Sequence, residues 1–600
     1  MLRFYLAVFA LAFFASSVSA GEMPRDWSYK YFKEEIPLSL DTFRIAVLDP
    51  TPESSSSGAI VLELRELRQR RVGRLHKGMQ PTGDAGGGWF LEDLVGQPSG
   101  GDPLGVVELI EQIANDPEGD EFATPVFVAD DLTLFPSRNI HIAFGEGVAM
   151  ATIDQALADA GVGPILVEDW LGPNTFVVDG GSRSGIAVLD AANALADRSD
   201  VIFASVDWAM TSDTMSETVV EYPPDPVRAF SFGPEWDRSL ATKGAPAPLC
   251  GPLGVGAPND PRLGESWGLE AIGDIDVDAP QAWQLCTGSS DVVVAVIGDG
   301  TQRNHPDMPG VLEGMDFTDE CVSPPCVGQP QGLCDNHETI VASIIKATAN
   351  NGLHSVGVAP DTAILPIRSM RYNLYGGSTC SSFVFSRWLA DGIDYATEQG
   401  VDVINLSWNT FNSRYPDITA AFQYAYDAGI ISFNSAGNGN RSVVYEPGRI
   451  FEVHSVTGIN PSGDLFFESD SYASNRGPNS EFTGPGQYIF ALDRTGADGV
   501  EDGSGPYGAD ATSVTGTSYA SPHLAGLAAL IRSYNPGLGP QEVLYILKET
   551  VMDLGDSGRD DSFGWGLGKG QAAINNSASV ITVRNFDRGD LSAWSSVVGD

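Results

Sequence analysis

The chain has 600 residues, 42% of them hydrophobic, enough for two or three domains with ordinary cores. Its formal net charge of -45 argues against nucleic acid and anionic membrane surfaces as partners. The same acidity suits an exported protein that stays soluble, and it supplies carboxylates of the kind that ligate calcium.

Residues 1–20 combine Arg3, an apolar run from Phe4 to Phe14, and Val18-Ser19-Ala20 before Gly21. That is the pattern of a cleaved secretory signal, too short to cross a bilayer. No other uninterrupted apolar run is long enough to span one, so the mature chain is expected without a membrane span, in an extracellular or periplasmic space. Export makes disulfides the expected state of the six cysteines, Cys250, Cys286, Cys321, Cys326, Cys334 and Cys380. Sequence alone does not choose their pairing, and no Cys-x2-Cys pair or nearby histidine cluster suggests zinc.

Residues 21–125 carry apolar strand candidates at Phe43–Leu48 and Ala59–Leu64 and a glycine-rich segment at Gly83–Gly88, with no function assigned. Within 126–212 the pattern becomes regular. Strands are expected at Ile140–Phe144, Ile165–Val167, Thr175–Val178 and Val201–Val206, and helices at Ala149–Ala160 and Gly185–Ala196. This β-α-β-β-α-β order defines a compact α+β unit of ferredoxin-like type. Residues 213–262, with Pro223-Pro224-Asp225-Pro226, read as a linker. From 263 to 576 strands and helices alternate. Val292–Ile297, Ala363–Ile367, Val401–Leu406 and Ile430–Phe433 are short apolar runs of the kind found in parallel strands covered on both faces. Such folds gather their sites at the carboxyl ends of the strands. Residues 577–600 form a tail, with a strand candidate at 585–594.

The stretch Thr515-Gly516-Thr517-Ser518-Tyr519-Ala520-Ser521-Pro522-His523 puts a hydroxyl at a loop-to-helix junction, where unpaired N–H groups can hold a developing oxyanion. It resembles the serine motif of the subtilisin-like serine proteases. Asp335-Asn336-His337-Glu338-Thr339 resembles the histidine motif of the same family, and Ser435-Ala436-Gly437-Asn438-Gly439 its oxyanion-hole motif. The collinear match spans about residues 263–576. It implies a subtilisin-like three-layer α/β fold with a mostly parallel central sheet, preceded by a smaller α+β ferredoxin-like domain that resembles the family's inhibitory propeptide.

The resemblance implies a secreted serine endopeptidase acting on protein or peptide substrates through an acyl-enzyme on Ser518. His337 would be the general base, Asn438 an oxyanion donor, and Ser407, Trp408, Asn409 and Gly437 would bind substrate. The chain's own propeptide would be a partner, and calcium a structural ion whose ligands the sequence does not name. Two departures stand out. Glu338 occupies the position after the histidine where the family has glycine, and either raises the imidazole pKa or points to solvent. An ungapped match also puts Gly298, not Asp299, at the family's aspartate position. Either a bulge at Gly298 re-aims Asp299 toward His337, which is the expectation adopted, or the triad lacks its carboxylate. The alternative function is accordingly a catalytically impaired homologue that acts as a secreted binding or envelope protein.

Overall fold

The computed structural model describes residues 28–31, 34–48, 80–86, 89–93, 103–116, 121–129, 132–212 and 247–577, the last two with short breaks. The signal-like segment 1–20, the strand expected at Ala59–Leu64, linker residues 213–246 and the strand expected at 585–594 lie outside the described residues.

The first unit contains β1 (Ser28–Tyr31), β2 (Glu34–Pro37), β3 (Ser39–Leu48), β4 (Gln80–Gly86), β5 (Trp89–Asp93), α1 (Pro103–Ala114), β6 (Phe122–Ala129) and β7 (Leu132–Phe144). It continues with α2 (Met150–Asp159), β8 (Ile165–Glu168), β9 (Thr175–Asp179), α3 (Gly185–Ala196) and β10 (Val201–Ser212). Strands β10, β7, β9 and β8 lie side by side and antiparallel, the neighbour order of a split β-α-β unit. The sheet is larger than that unit because β7 is long. Its first residues pair with β6, through which β3, β5 and β4 extend the sheet, while Asn139–Ala143 pair with β9.

The second unit opens with α4 (Ala279–Trp283), β11 (Val293–Gly298), β12 (Met315–Asp316), α5 (His337–Lys346) and β13 (Ala363–Arg368). A hairpin of β14 (Arg371–Tyr375) and β15 (Thr379–Phe385) follows, then α6 (Ser386–Glu398), β16 (Val403–Leu406), α7 (Pro416–Asp427), β17 (Ile431–Ser435) and β18 (Val453–Ile459). Two short hairpins, β19 (Phe467–Ser469) with β20 (Tyr472–Ala473) and β22 (Ile489–Leu492) with β23 (Ala511–Val514), flank β21 (Phe482–Pro485). The chain then forms α8 (Thr517–Tyr534), α9 (Pro540–Thr550) and α10 (Gly570–Ser577).

Seven strands form one parallel sheet in the order β12-β13-β11-β16-β17-β18-β21. Successive residues of a strand face opposite sides, and β11 shows the result: Val294 and Val296 enter one apolar cluster, Ala295 and Ile297 another. The first cluster is closed by α8, whose apolar residues surround its whole circumference, as a central buried helix requires. The second runs through α6 and α7 into the first unit.

The two units meet on α6 and α7. Strand β10 adds β15 to its edge, antiparallel, with Ala209 opposite Phe385 and Thr211 opposite Phe383. Asp207 of β10 accepts the Arg387 backbone N–H at 3.2 Å and so caps the start of α6. His141 Nδ1 lies 2.9 Å from Asp417 in the first turn of α7, and the Ser386 hydroxyl donates to the same carboxylate at 2.6 Å. Trp208 packs on Tyr415 with ring centres 6.4 Å apart.

Disulfides join Cys250 to Cys286, Cys321 to Cys326 and Cys334 to Cys380. Part of the stretch read as linker already belongs to the second unit. The Leu249 N–H donates to Ser533, that of Leu253 to Trp283, and Asp260 accepts from the Asn350 N–H at 2.8 Å.

Candidate active site

Ser518 is the second residue of α8, so its backbone N–H lies among those a helix leaves without an internal acceptor. Thr517, just before it, donates both its N–H and its hydroxyl to Asn438 Oδ1, each at 2.8 Å. The Gly437 N–H in turn donates to the Thr517 hydroxyl at 3.0 Å. With Oδ1 tied, the Asn438 Nδ2 amide is held beside Gly516, 3.4 Å from where a β-carbon at 516 would stand. Gly437 has φ of 104°, and a β-carbon there would run into Asn475 and Tyr445, so glycine is needed for the approach. Its N–H serves the loop, not substrate.

The Ser518 hydroxyl donates to the Ser407 carbonyl at 3.0 Å, and the Ser407 hydroxyl returns the contact to the Ser518 carbonyl at 2.7 Å. This exchange ties the carboxyl end of β16 to the start of α8. Beyond it, Asn434 Nδ2 donates to the Leu406 and Trp408 carbonyls at 2.7 and 2.8 Å. Asn409 Nδ2 donates to the Ser435 carbonyl at 2.7 Å. These amides brace the loop, and the Trp408 ring packs half-buried against the cluster that α6 and α7 share with the first unit.

His337 opens α5, which packs against α8, and its ring lies 5.5 Å, centre to centre, from that of Tyr519. The histidine and the serine therefore stand at the N-termini of two adjoining helices. The imidazole is 23% exposed, open to the cleft on one side. Burial pulls its pKa below the usual value, opposed by the charge that Asp299 can carry.

The expected role of Asp299 is corrected. Strand β11 keeps register with β13 through Gly298 opposite Arg368 and Asp299 bridges to the same Arg368, yet this irregularity does not bring the Asp299 carboxylate onto the ring nitrogen. The Asp299 carboxylate instead accepts the backbone N–H groups of His337 and Glu338, each at 2.9 Å, and caps α5 from outside the helix. The ring contact is made by another carboxylate: Glu338 Oε1 lies 2.8 Å from His337 Nδ1. Glu338 is fully buried, which rules out the solvent-facing reading, and its Oε2 accepts the Asp299 N–H at 2.9 Å. Glu338 pushes Asp299 upward, whereas the hydrogen bonds from Asp299 pull Glu338 down against its burial. Asp299 is raised well above the carboxylate range, by burial and then by the charge of Glu338, and Glu338 is raised chiefly by burial.

Oxygen donors suited to a hard cation occur away from this cleft. Asp307 Oδ1 accepts from Asn351 Nδ2 at 2.6 Å, while its Oδ2 is buried without a partner. Burial, with the charge of Asp260 adding to it, raises Asp307 to about 6. A buried carboxylate with one oxygen unpartnered among the described residues, raised further by the charge of Asp260, fits calcium. An acidic trio elsewhere, Asp274, Asp276 and Asp278, is already held by Lys569 Nζ at 3.1, 3.4 and 2.7 Å, so a cation of the chain itself fills it.

A doubly covered parallel sheet, with serine, histidine and a tied asparagine converging beyond its strands, defines an α/β protein with a serine-histidine site. The chain belongs to the subtilase family. The family model described as Peptidase_S8, Subtilase family, matches residues 289–566. Thermitase of Thermoactinomyces vulgaris is 30% identical over 277 residues, 46% of this chain and 85% of that protein. The thermophilic serine proteinase of Bacillus sp. (strain AK1) is 32% identical over 284 residues, 47% of this chain and 62% of that protein, so the chain spans less than two thirds of it. In fold the chain is similar to the crystal structure of fervidolysin from Fervidobacterium pennivorans, with a TM-score of 0.52 and 23% identity, over 73% of this chain and 60% of that one.

Proposed function

We propose that the chain is a secreted serine endopeptidase made as a precursor. Ser518 attacks the scissile carbonyl, His337 takes its proton and returns it to the leaving amine, and the Asn438 amide with the Ser518 N–H receives the oxyanion. The observation that carries this reading is the placement of His337 and Ser518 on two adjoining helix N-termini, with Asn438 tied between the second helix and the cleft. Rotation about the Ser518 Cα–Cβ bond moves the hydroxyl from the Ser407 carbonyl toward the imidazole.

The unit that ends at Ser212 is assigned as the propeptide. Its last strand pairs with β15 and caps α6, the elements that lead into the cleft. Residues 1–20 direct export, and calcium at Asp307 and Asp260 stabilises the fold without entering the chemistry.

A fluorophosphonate probe tests the assignment, because it labels only an activated serine. The wild-type protein should be labelled and should cleave casein, while Ser518→Ala should do neither and should retain the uncut precursor. A wild-type protein that resists the probe and leaves casein intact would sink the peptidase reading. The impaired homologue with a binding role would then stand. That second reading is favoured by one observation, the Ser518 hydroxyl bonded to Ser407 rather than to the histidine.

A further inference from the structure

The geometry points to Glu338 as the residue that positions and charges His337, supplied from the helix itself in place of a carboxylate on β11. This rests on the peptidase reading above and deepens it.

Adjacent residues of a helix do not ordinarily face one another, since each step turns the chain by about 100°. The Glu338 side chain nevertheless folds back to the ring of its neighbour, and two features make room for it. Position 298 is glycine, and a β-carbon built there would coincide with the Glu338 carboxyl group. The space that a side chain on the last residue of β11 would fill is therefore occupied by a carboxylate reaching in from α5.

The second feature is the clasp around it. Asp299 donates its N–H to Glu338 Oε2, while the Asp299 carboxylate accepts from the first two N–H groups of α5. Strand end and helix start are thus locked by three hydrogen bonds. Glu338 Oε1 is left to meet Nδ1 at 2.8 Å. An acceptor on Nδ1 fixes the tautomer with hydrogen on that nitrogen and presents Nε2, as a base, to the cleft.

The two acids divide the work. The Asp299 carboxyl caps the helix on the far side of Glu338, and burial raises both acids. Asp335 adds negative charge from the loop before α5 while sharing Arg368 with Asp316 and Glu320, and Tyr372 stands nearby as a neutral phenol.

The test is a side-chain exchange, read by kinetics and by NMR of the His337 ring. Glu338→Gln should lower kcat about 10³–10⁴-fold with KM changed only a few-fold. It should also move the His337 titration to lower pH. Gly298→Asp alone should be inactive, because its side chain and Glu338 claim the same space. Gly298→Asp combined with Glu338→Gly should regain at least about 10²-fold in kcat over Glu338→Gly and restore the upward push on the ring. Asp299→Asn, which leaves the Glu338 contact on Nδ1 in place, should cost much less in kcat than Glu338→Gln does. The idea is overturned if Glu338→Gln turns over within about tenfold of wild type, or if the double exchange regains nothing while Asp299→Asn matches the loss. Histidine titration in the Ser518→Ala background needs no turnover, so it decides the role of Glu338 even where the peptidase reading fails.

Discussion

Glu338 Oε1 meets Nδ1 of His337, the residue just before it in the chain, at 2.8 Å, whereas Asp299 holds only backbone N–H groups of the same helix. A contact between neighbours in sequence thus replaces one between distant elements. Its stability rests on what holds the helix start in place.

The Asp299 cap should therefore matter more for stability than for chemistry. Asp299→Ala removes the acceptor of two buried N–H groups, a loss of about 1–3 kcal/mol in unfolding free energy. Calorimetry should record a lower Tm. An unchanged Tm would mean that water or Asn336 takes over the cap.

Asn438→Ala should lower kcat by about 10²–10³ with little change in KM, since in the proposed mechanism the amide serves the oxyanion and not the bound substrate. The same change frees the Thr517 N–H and hydroxyl, so a Tm measured alongside separates a loosened α8 from a lost donor.

Cys334 lies three residues before His337, and its bond to Cys380 fastens that loop to the hairpin that pairs with the first unit. Replacing both cysteines by serine should cost about 2–4 kcal/mol of stability, with a model-dependent share from the unfolded chain. Denaturant unfolding under non-reducing conditions measures it. A midpoint equal to wild type would show the bridge to be dispensable.

His454 is buried beside Phe433, and burial lowers its pKa to about 4 against about 6.5 in the unfolded chain. Between those values the unfolded state binds the extra proton, so the native state loses stability as pH falls from about 6.5 toward 4, on the order of 1 kcal/mol per pH unit. In His454→Gln this share of the acid sensitivity should vanish. Parallel Tm-versus-pH curves for the two proteins would refute it.

The calcium proposed at Asp307 would compete with a proton, because burial pushes that carboxyl up to about 6. The drop in Tm on adding a chelator should accordingly be larger at pH 8 than at pH 5, and Asp307→Asn should remove the difference. No response to chelator at either pH would dismiss the ion.

The sequence by itself singled out the serine, the histidine and the asparagine of the proposed site. Each stands in a short motif whose local structure, a helix start or a turn after a strand, follows from neighbouring residues. It also determined the alternation of strands and helices in the second unit. Both departures that mark the third group were visible as well: glycine at 298 where an acid is expected, and an acid at 338 where glycine is expected. They are complementary in volume and charge, and taken together they could have pointed to Glu338. Only the tertiary structure decided that they answer each other. Strand alternation says which way a side chain points, but not which distant side chain fills the space that a glycine leaves empty. That depends on α5 docking against the end of β11, and on the acid pair and clasp that form only once it has docked.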